Sequence, residues 1–338
     1  NPADINFIQG VYGVKPVLPH SRAGLEGCGM VEESRADGFR KGDQVILLRG
    51  VGSWSELVAV PAVNLMKLPV AVDPVQAAML KVNPLTALRM LEGFVSLKPG
   101  DWIVQNAANS GVGRCIIQLA RQMGVRTVNF VRRPDELREE LTALGADLVV
   151  GENDEDVVKS TLALLDGKRP VLASNAVGGE SALRLMDMLA PGGSMVTYGA
   201  MSRKSIKVPN GFLIFKGIRL EGLWVTQWLK HAPAQDIAAA YDKLARLMAE
   251  GSLVQAVDTV FPLSEVRRVR MVLVACMGNG GSEPLCPGES GRHVPGQAPV
   301  CAGEPVHGRE GDERHPGVFW VGPQIWPHPG MGSEGTVP

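Results

Sequence analysis

Between residues 98 and 260 the chain repeats one rhythm: a short apolar run, a turn, an amphipathic stretch, then another apolar run. Residues 102–105, 126–131, 147–150, 171–176 and 194–198 read as strands, and 114–123, 134–144, 154–165 and 180–189 as the helices between them. A strand that must pass through a helix before the next strand ends up parallel to it, and repeated crossovers of this length build a parallel sheet with helices on both faces. Residues 219–224 read as a last strand, and 234–250 as a long amphipathic helix closed by Gly251. The pattern predicts an α/β fold with a doubly wound, six-stranded parallel sheet.

The flanking regions have a different texture. In residues 1–97, Val45-Ile46-Leu47-Leu48 follows a Lys41-Gly42-Asp43 turn, and Glu56-Leu57-Val58-Ala59-Val60 stops at Pro61. Short strands between Gly and Pro punctuation predict a mainly β domain. Asp73-Pro74 opens a helix, with Asp as the cap and Pro in the first helical position. Residues 271–338 hold 14 Gly and 10 Pro in 68 residues without sustained periodicity, a composition expected to stay disordered apart from local contacts of Phe319, Trp320 and Trp326.

Composition excludes several classes of partner. A net charge of -1 gives no reason to expect nucleic acid or an anionic membrane surface. No apolar run reaches the roughly 18 residues of a membrane span. Asn1-Pro2-Ala3-Asp4-Ile5-Asn6 has neither the basic start nor the apolar core of a signal peptide. The cytoplasm is therefore the expected compartment, or the mitochondrion if a transit peptide precedes this segment. The five cysteines form no Cys-x-x-Cys pair, which suits a reducing compartment. Four of the six histidines (His293, His307, His315, His328) fall after residue 290 with no tight metal-ligand spacing.

The first strand–helix junction of the sheet carries the chemistry. Gln105-Asn106-Ala107-Ala108-Asn109-Ser110-Gly111-Val112-Gly113 leaves a strand and opens a helix. Backbone N–H groups there face whatever sits at the turn, and the helix dipole favours an anion. Gly111 and Gly113 let a pyrophosphate approach the backbone, while Asn109 and Ser110 add side-chain donors and Val112 sits between. The Gly-x-Gly-x-x-Gly pattern is incomplete because Ile116 holds the third glycine position. The next strand ends in Asn129-Phe130-Val131-Arg132-Arg133-Pro134. An NAD site would place a carboxylate there for the ribose 2′-hydroxyl. Two guanidinium forks, Arg132 and Arg133, suit a 2′-phosphate instead, so NADPH is expected over NADH.

Several segments taken together resemble a known family. Asn1–Asn6, Ile8-Gln9-Gly10-Val11-Tyr12-Gly13, Gly24-Leu25-Glu26-Gly27, Val82-Asn83-Pro84-Leu85-Thr86-Ala87 and Asn109–Gly113 resemble the quinone oxidoreductase branch of the medium-chain dehydrogenases/reductases. Within that branch Gln105–Gly113, Tyr198-Gly199-Ala200-Met201 and Gly222-Leu223-Trp224-Val225-Thr226-Gln227-Trp228 look most like mitochondrial-type trans-2-enoyl thioester reductases. The resemblance covers roughly residues 1–269. It implies a GroES-like catalytic domain at 1–97, incomplete at its N-terminus. A Rossmann NADPH-binding domain at 98–230, a helix and return segment at 231–270 and a tail at 271–338 follow.

The implied reaction is NADPH-dependent reduction of the C2–C3 double bond of a 2-enoyl thioester in fatty acid synthesis, on coenzyme A or acyl carrier protein. The family's acid matches Tyr12, whose phenol, near pKa ~10 when unperturbed, stays protonated at neutral pH. Asn83 would bond the nicotinamide end or the substrate; capping the helix before Pro84 is the alternative. Tyr198, Gly199, Ala200 and Met201 would lie beside the cofactor's ribose. Leu223, Trp224, Val225 and Thr226 also fall on positions where the resemblance implies cofactor binding, and Trp224 would wall the acyl pocket or serve as a core residue at the edge strand. Zinc-dependent relatives need a Gly-His-Glu element, but here Leu25 stands in the His position and cannot bind metal, so no zinc is expected. A quinone or alkenal reductase remains the alternative on the same scaffold, and an inactive NADPH-binding protein the alternative of another class. A homodimer through strand 219–224 is compatible with the resemblance.

Overall fold

A computed structural model describes residues 2–49 and 52–265, together with the backbone of 318–322. Helix α1 (Pro2–Ile8) leads into a loop and then the strands β1 (Cys28–Ser34), β2 (Gln44–Leu47), β3 (Val58–Pro61) and β4 (Leu65–Lys67). β3 buries Val58 and Val60 and exposes Ala59 and Pro61, the alternation of a sheet with one wet face. Val31, Val45, Leu47, Val58, Val60 and Leu65 form the core of this domain. The Gln44 side chain closes it at one end: Nε2 donates to the Val72 carbonyl at 2.8 Å and Oε1 accepts from the Val72 N–H at 3.1 Å.

Two helices connect the domains. Asp73 caps α2 (Pro74–Ala78), accepting from the N–H groups of Val75 and Gln76, as the Asp-Pro pair predicts. Helix α3 (Asn83–Glu92) buries Leu85, Ala87, Leu88, Met90 and Leu91.

The second domain alternates as the sequence predicts. Strands β5 (Trp102–Gln105), β6 (Arg126–Val131), β7 (Leu148–Gly151), β8 (Leu172–Asn175), β9 (Ser194–Thr197) and β10 (Arg219–Gly222) stand in the order β10-β9-β8-β5-β6-β7. Every neighbouring pair is parallel. Helices α4 (Gly111–Gln122), α5 (Pro134–Leu144), α6 (Val157–Ala163) and α7 (Gly179–Met188) make the crossovers. Chain order reverses between β5 and β8, so the crevice at their C-terminal ends is the switch point where such sheets bind ligands.

Three expectations shift. Helix α4 starts at Gly111, three residues before the expected 114, because Ser110 caps it. The helix expected over 154–165 shortens to Val157–Ala163: Asp156 takes a positive φ of 52° at its N-cap, and after Ala163 the N–H groups of Leu164 and Leu165 bond three residues back instead of four. The last strand ends at Gly222, and the chain turns after Trp224 into α9 (Val225–His231), which follows the short α8 (Asn210–Ile214).

Helix α10 (Ala234–Ala249) ends before Gly251, whose φ of +73° is open to glycine without strain. Beyond it, two glutamines hold the returning chain. Gln118 of α4 pairs with both backbone groups of Val254 (2.9 and 2.8 Å), and Gln76 of α2 with both of Gln255 (3.0 and 2.8 Å). One clasp comes from the connecting helix α2 and one from α4 of the sheet domain, so the returning chain is tied to both at adjacent residues.

A last strand, β11 (Val318–Gly322), inserts between β3 and β1, giving the order β3-β11-β1-β2-β4 with all pairs antiparallel. The sequence suggests no element there; Val-Phe-Trp-Val is a β-prone run that finds two partner strands. The rest of the 271–338 tail, with Cys276, Cys286, Cys301, Trp326 and the four late histidines, lies outside the described residues. Among the described residues no helix is long and apolar enough to cross a membrane. Cys28 and Cys115 carry free thiols that burial pushes up to about 11 and about 12, which makes them poor nucleophiles.

Candidate active site

The loop between β5 and α4 is built for close approach. Ser110 sits in extended conformation at the N-cap, and its Oγ accepts from the Gly113 N–H at 3.2 Å. A Cβ on Gly113 would stand 2.5 Å from the Ala108 carbonyl oxygen and 2.8 Å from that of Ala107. Both are backbone atoms, so only glycine lets the helix start this close to the strand. Ala107 itself has φ +48°, a conformation that costs a non-glycine residue on the order of 1 kcal/mol. Arg114 fixes the outer side: its Nε donates to the Asn109 carbonyl at 2.9 Å while its guanidinium grips Glu140 of α5, holding that carboxyl below the usual range. The result is a helix N-terminus with open N–H groups at the sheet's switch point, a fit for a pyrophosphate.

A buried polar network holds the crevice open behind it. Asn106, one residue past β5, donates to Asn175 Oδ1 at 2.9 Å and to Ser181 Oγ at 2.7 Å, and accepts from the Ala176 N–H at 2.7 Å. Asn175 donates on to Thr197 Oγ1 at 3.1 Å and accepts from the N–H groups of Val177 and Gly178. Asn106 and Asn175 are fully buried. Sequence analysis missed this network; its signal is three polar residues, Asn106, Asn175 and Thr197, each at or just past the C-terminal end of a strand. Asn175 also anchors the next segment, because its carbonyl accepts from the Tyr198 N–H at 3.0 Å.

That segment borders the loop. The Tyr198 hydroxyl is buried close to Ser110 and has no hydrogen-bond partner. Burial pushes its phenol well above the usual tyrosine range, so it stays a neutral donor. Gly199 lies against the Ala176 backbone, where a Cβ would meet the carbonyl oxygen at 2.9 Å. Ala200 and Met201 are exposed. Arg132 and Arg133 are exposed directly after β6, with Arg133 paired to Glu136 at 2.9 Å.

Across the seam, Trp224 Nε1 donates to the Tyr12 hydroxyl oxygen at 3.0 Å, and the two rings meet edge to face at 6.0 Å. Gly13 makes the room: a Cβ there would fall 2.8 Å from the indole. Trp224 is half-buried at the N-terminus of α9 and is not a core residue. Leu223 packs on the core, the Val225 side chain is buried in it, and Thr226 is half-buried in the first turn of α9. Asn83 is the first residue of α3 and does not cap it; the cap position is Val82, whose N–H donates to Glu26 Oε2 at 2.9 Å. The Asn83 amide lies 2.4 Å from where a Cβ on Gly111 would stand, and reaches Gln255 Oε1 at 3.5 Å. The structure thus gathers Asn83, Ser110, Gly111, Gly113 and Tyr198 around one loop, and joins Tyr12 to Trp224. Arg132 and Arg133 stand at the end of the neighbouring strand.

Among the described residues no group of three or more His, Cys, Asp or Glu side chains is placed to hold a metal ion. The chain nevertheless matches the "Zinc-binding dehydrogenase" family model over residues 111–246 and the "Alcohol dehydrogenase GroES-like domain" over 1–70. It is 39% identical over 274 residues to the mitochondrial enoyl-[acyl-carrier-protein] reductase of Rattus norvegicus, covering 79% of this chain and 73% of the relative. The Arabidopsis thaliana enzyme of the same name is 41% identical over 292 residues, covering 84% and 76%. Among solved structures, a mitochondrial 2-enoyl thioester reductase heterodimer from Candida tropicalis superposes with a TM-score of 0.72 at 29% identity, covering 82% and 86%. A complex of that type with NADP and crotonyl-CoA gives the same TM-score at the same identity and coverage. Escherichia coli quinone oxidoreductase with NADPH gives 0.71 at 25%, covering 81% and 85%. The chain belongs to the medium-chain dehydrogenase/reductase family, with mitochondrial enoyl reductases and quinone oxidoreductases as its relatives.

Proposed function

We propose that this protein is an NADPH-dependent 2-enoyl thioester reductase, saturating the C2–C3 double bond of an acyl chain carried by coenzyme A or acyl carrier protein. The observation that carries this reading is the Trp224–Tyr12 hydrogen bond, which fixes a phenol at the seam between the two domains. The residues fit the cofactor: Gly111 and Gly113 leave space for a pyrophosphate, Tyr198 keeps an unused buried donor beside Ser110, and Arg132 and Arg133 offer cations for a 2′-phosphate. When bound, NADPH supplies the hydride that C3 receives. The chain's own residues then manage the charge that develops on the thioester oxygen. With its oxygen accepting from Trp224, the Tyr12 hydroxyl keeps its hydrogen to give, either to that oxygen or, directly or through water, to C2. Asn83 adds an amide at the nicotinamide end, and Trp224 walls the acyl side. No metal ligand is needed where hydrogen-bond donors face the developing charge.

The finer points follow the relatives. Both carriers are accepted, a second copy pairs along the exposed edge strand β10, and the compartment is the mitochondrion named for the relatives rather than the cytoplasm. The test is NADPH oxidation, followed by absorbance, with trans-2-hexenoyl-CoA, using the wild-type chain and Tyr12→Phe. Turnover that falls roughly 10²-fold or more in the variant supports the reading. Quinone reduction without thioester turnover would replace it with the quinone reductase reading.

A further inference from the structure

Leu25, in the loop before β1, has both backbone polar groups held by buried charged side chains. Its N–H donates to Asp4 Oδ1 at 2.7 Å, and its carbonyl accepts from Lys81 Nζ. Asp4 belongs to α1 and is 5% exposed; Lys81 stands just before α3 and is 6% exposed. The next residue, Glu26, receives the Val82 N–H at the start of α3. These bonds tie α1 to α3 through two consecutive loop residues.

What hangs on each helix gives the tie its meaning. The N–H groups of Val11 and Tyr12 both donate to the Asn6 carbonyl of α1, at 2.9 and 3.1 Å. Asn83 is the first residue of α3, against Gly111 of the cofactor loop. The spacing between the proposed acid and the proposed nicotinamide contact is therefore set by the Asp4–Leu25–Lys81 and Glu26–Val82 bonds. Resting on the reductase reading, we propose that Lys81 is a positioning residue: bonded to the Leu25 carbonyl in the field of Asp4 and Glu26, its ammonium sets the Tyr12 loop against Asn83.

The titration of Lys81 makes this testable apart from mere folding. Burial lowers its pKa to about 8, while Glu26 and Asp4 pull it back up. Cys115 of α4 and Tyr241 of α10 also feel the charge of Glu26, and burial keeps both neutral through this range. A lysine pKa lowered by folding means the folded state holds fewer protons than the unfolded one. Its contribution to stability therefore rises as pH climbs from about 8 toward the ordinary 10.5. Positioning runs the other way, because the neutral amine loses its charge-assisted bond to Leu25.

The experiment measures kcat for trans-2-hexenoyl-CoA from pH 6 to 10, together with the Kd for NADPH, in wild type, Lys81→Met and Asp4→Asn. In wild type, kcat falls through an apparent pKa near 8 while thermal stability does not fall with it. Lys81→Met removes that limb and lowers kcat roughly 10-fold to 100-fold, the scale of an ångström-sized misplacement, with the NADPH Kd unchanged. Asp4→Asn moves the limb to lower pH, since one of the carboxylates that raises the lysine is gone, and serves if Lys81→Met does not fold. A limb near 8 that survives Lys81→Met, or that Asp4→Asn leaves in place, overturns the proposal. If the wild-type chain reduces no enoyl thioester at all, the reductase reading itself has failed.

Discussion

Gly113→Ala sets two physical arguments against each other. In a helix interior, alanine is favoured over glycine by about 0.5–1 kcal/mol, so propensity alone predicts a more stable protein. The site predicts the opposite. The added Cβ would lie 2.5 Å from the Ala108 carbonyl oxygen and 2.8 Å from that of Ala107. Relieving a 2.5 Å contact to ordinary van der Waals distance takes a shift of roughly 1 Å. Both obstacles are backbone, so the start of α4 must move, at the overpacking cost of about 1–3 kcal/mol. The net expectation is a loss of about 0–2.5 kcal/mol in stability. NADPH affinity should also fall about tenfold, since the open N–H groups shift from the position proposed for the pyrophosphate and 1.4 kcal/mol is a decade in Kd. Gly111→Ala is the control: its Cβ meets only the Asn83 amide at 2.4 Å, a side chain that can rotate away, so stability stays near wild type. Urea denaturation gives the first quantity and fluorescence titration with NADPH the second. A Gly113→Ala protein that is more stable than wild type and binds NADPH equally well refutes the steric reasoning.

Two further outcomes follow from the same crevice. Replacing Arg132 and Arg133 together by Ala should raise the KM for NADPH by roughly tenfold or more while leaving that for NADH nearly unchanged, because the role proposed for the two guanidiniums is to bind the 2′-phosphate that NADH lacks; steady-state kinetics with both cofactors checks this. Asn106→Leu leaves the Ala176 N–H and the Ser181 hydroxyl without their partner, so stability should fall by about 1–3 kcal/mol per stranded buried group, as read from denaturant midpoints.

The parallel sheet was legible because its signals are local. Strand 102–105, strand 126–131 and helix 134–144 are found at the boundaries that periodicity and Pro134 indicate. The Asp73 cap and the Gly251 stop follow from residue chemistry at one position. What escaped the sequence depends on partners far along the chain. Asn106 meets Asn175 across 69 residues, and Gln76 meets Gln255 across 179. Nothing near either glutamine distinguishes a clasp from a solvated side chain. The turn into α9 was hidden because Leu223 and Trp224 add two apolar residues directly after β10, and the Leu223 N–H still bonds the Thr197 carbonyl of β9 before the chain turns. Lys81 reads as an ordinary surface lysine until the fold buries it beside Leu25.

The central claim is that a hydride passes from NADPH to C3 of an enoyl thioester while the protein supplies the proton at C2. The most direct measurement uses NADPH deuterated at the transferable nicotinamide position, trans-2-hexenoyl-CoA and ordinary water, with mass and NMR analysis of the product. The account predicts hexanoyl-CoA carrying one deuterium, at C3, and a solvent-derived hydrogen at C2. Oxidation of the cofactor with the acyl chain left unsaturated, or deuterium found at C2, would contradict it.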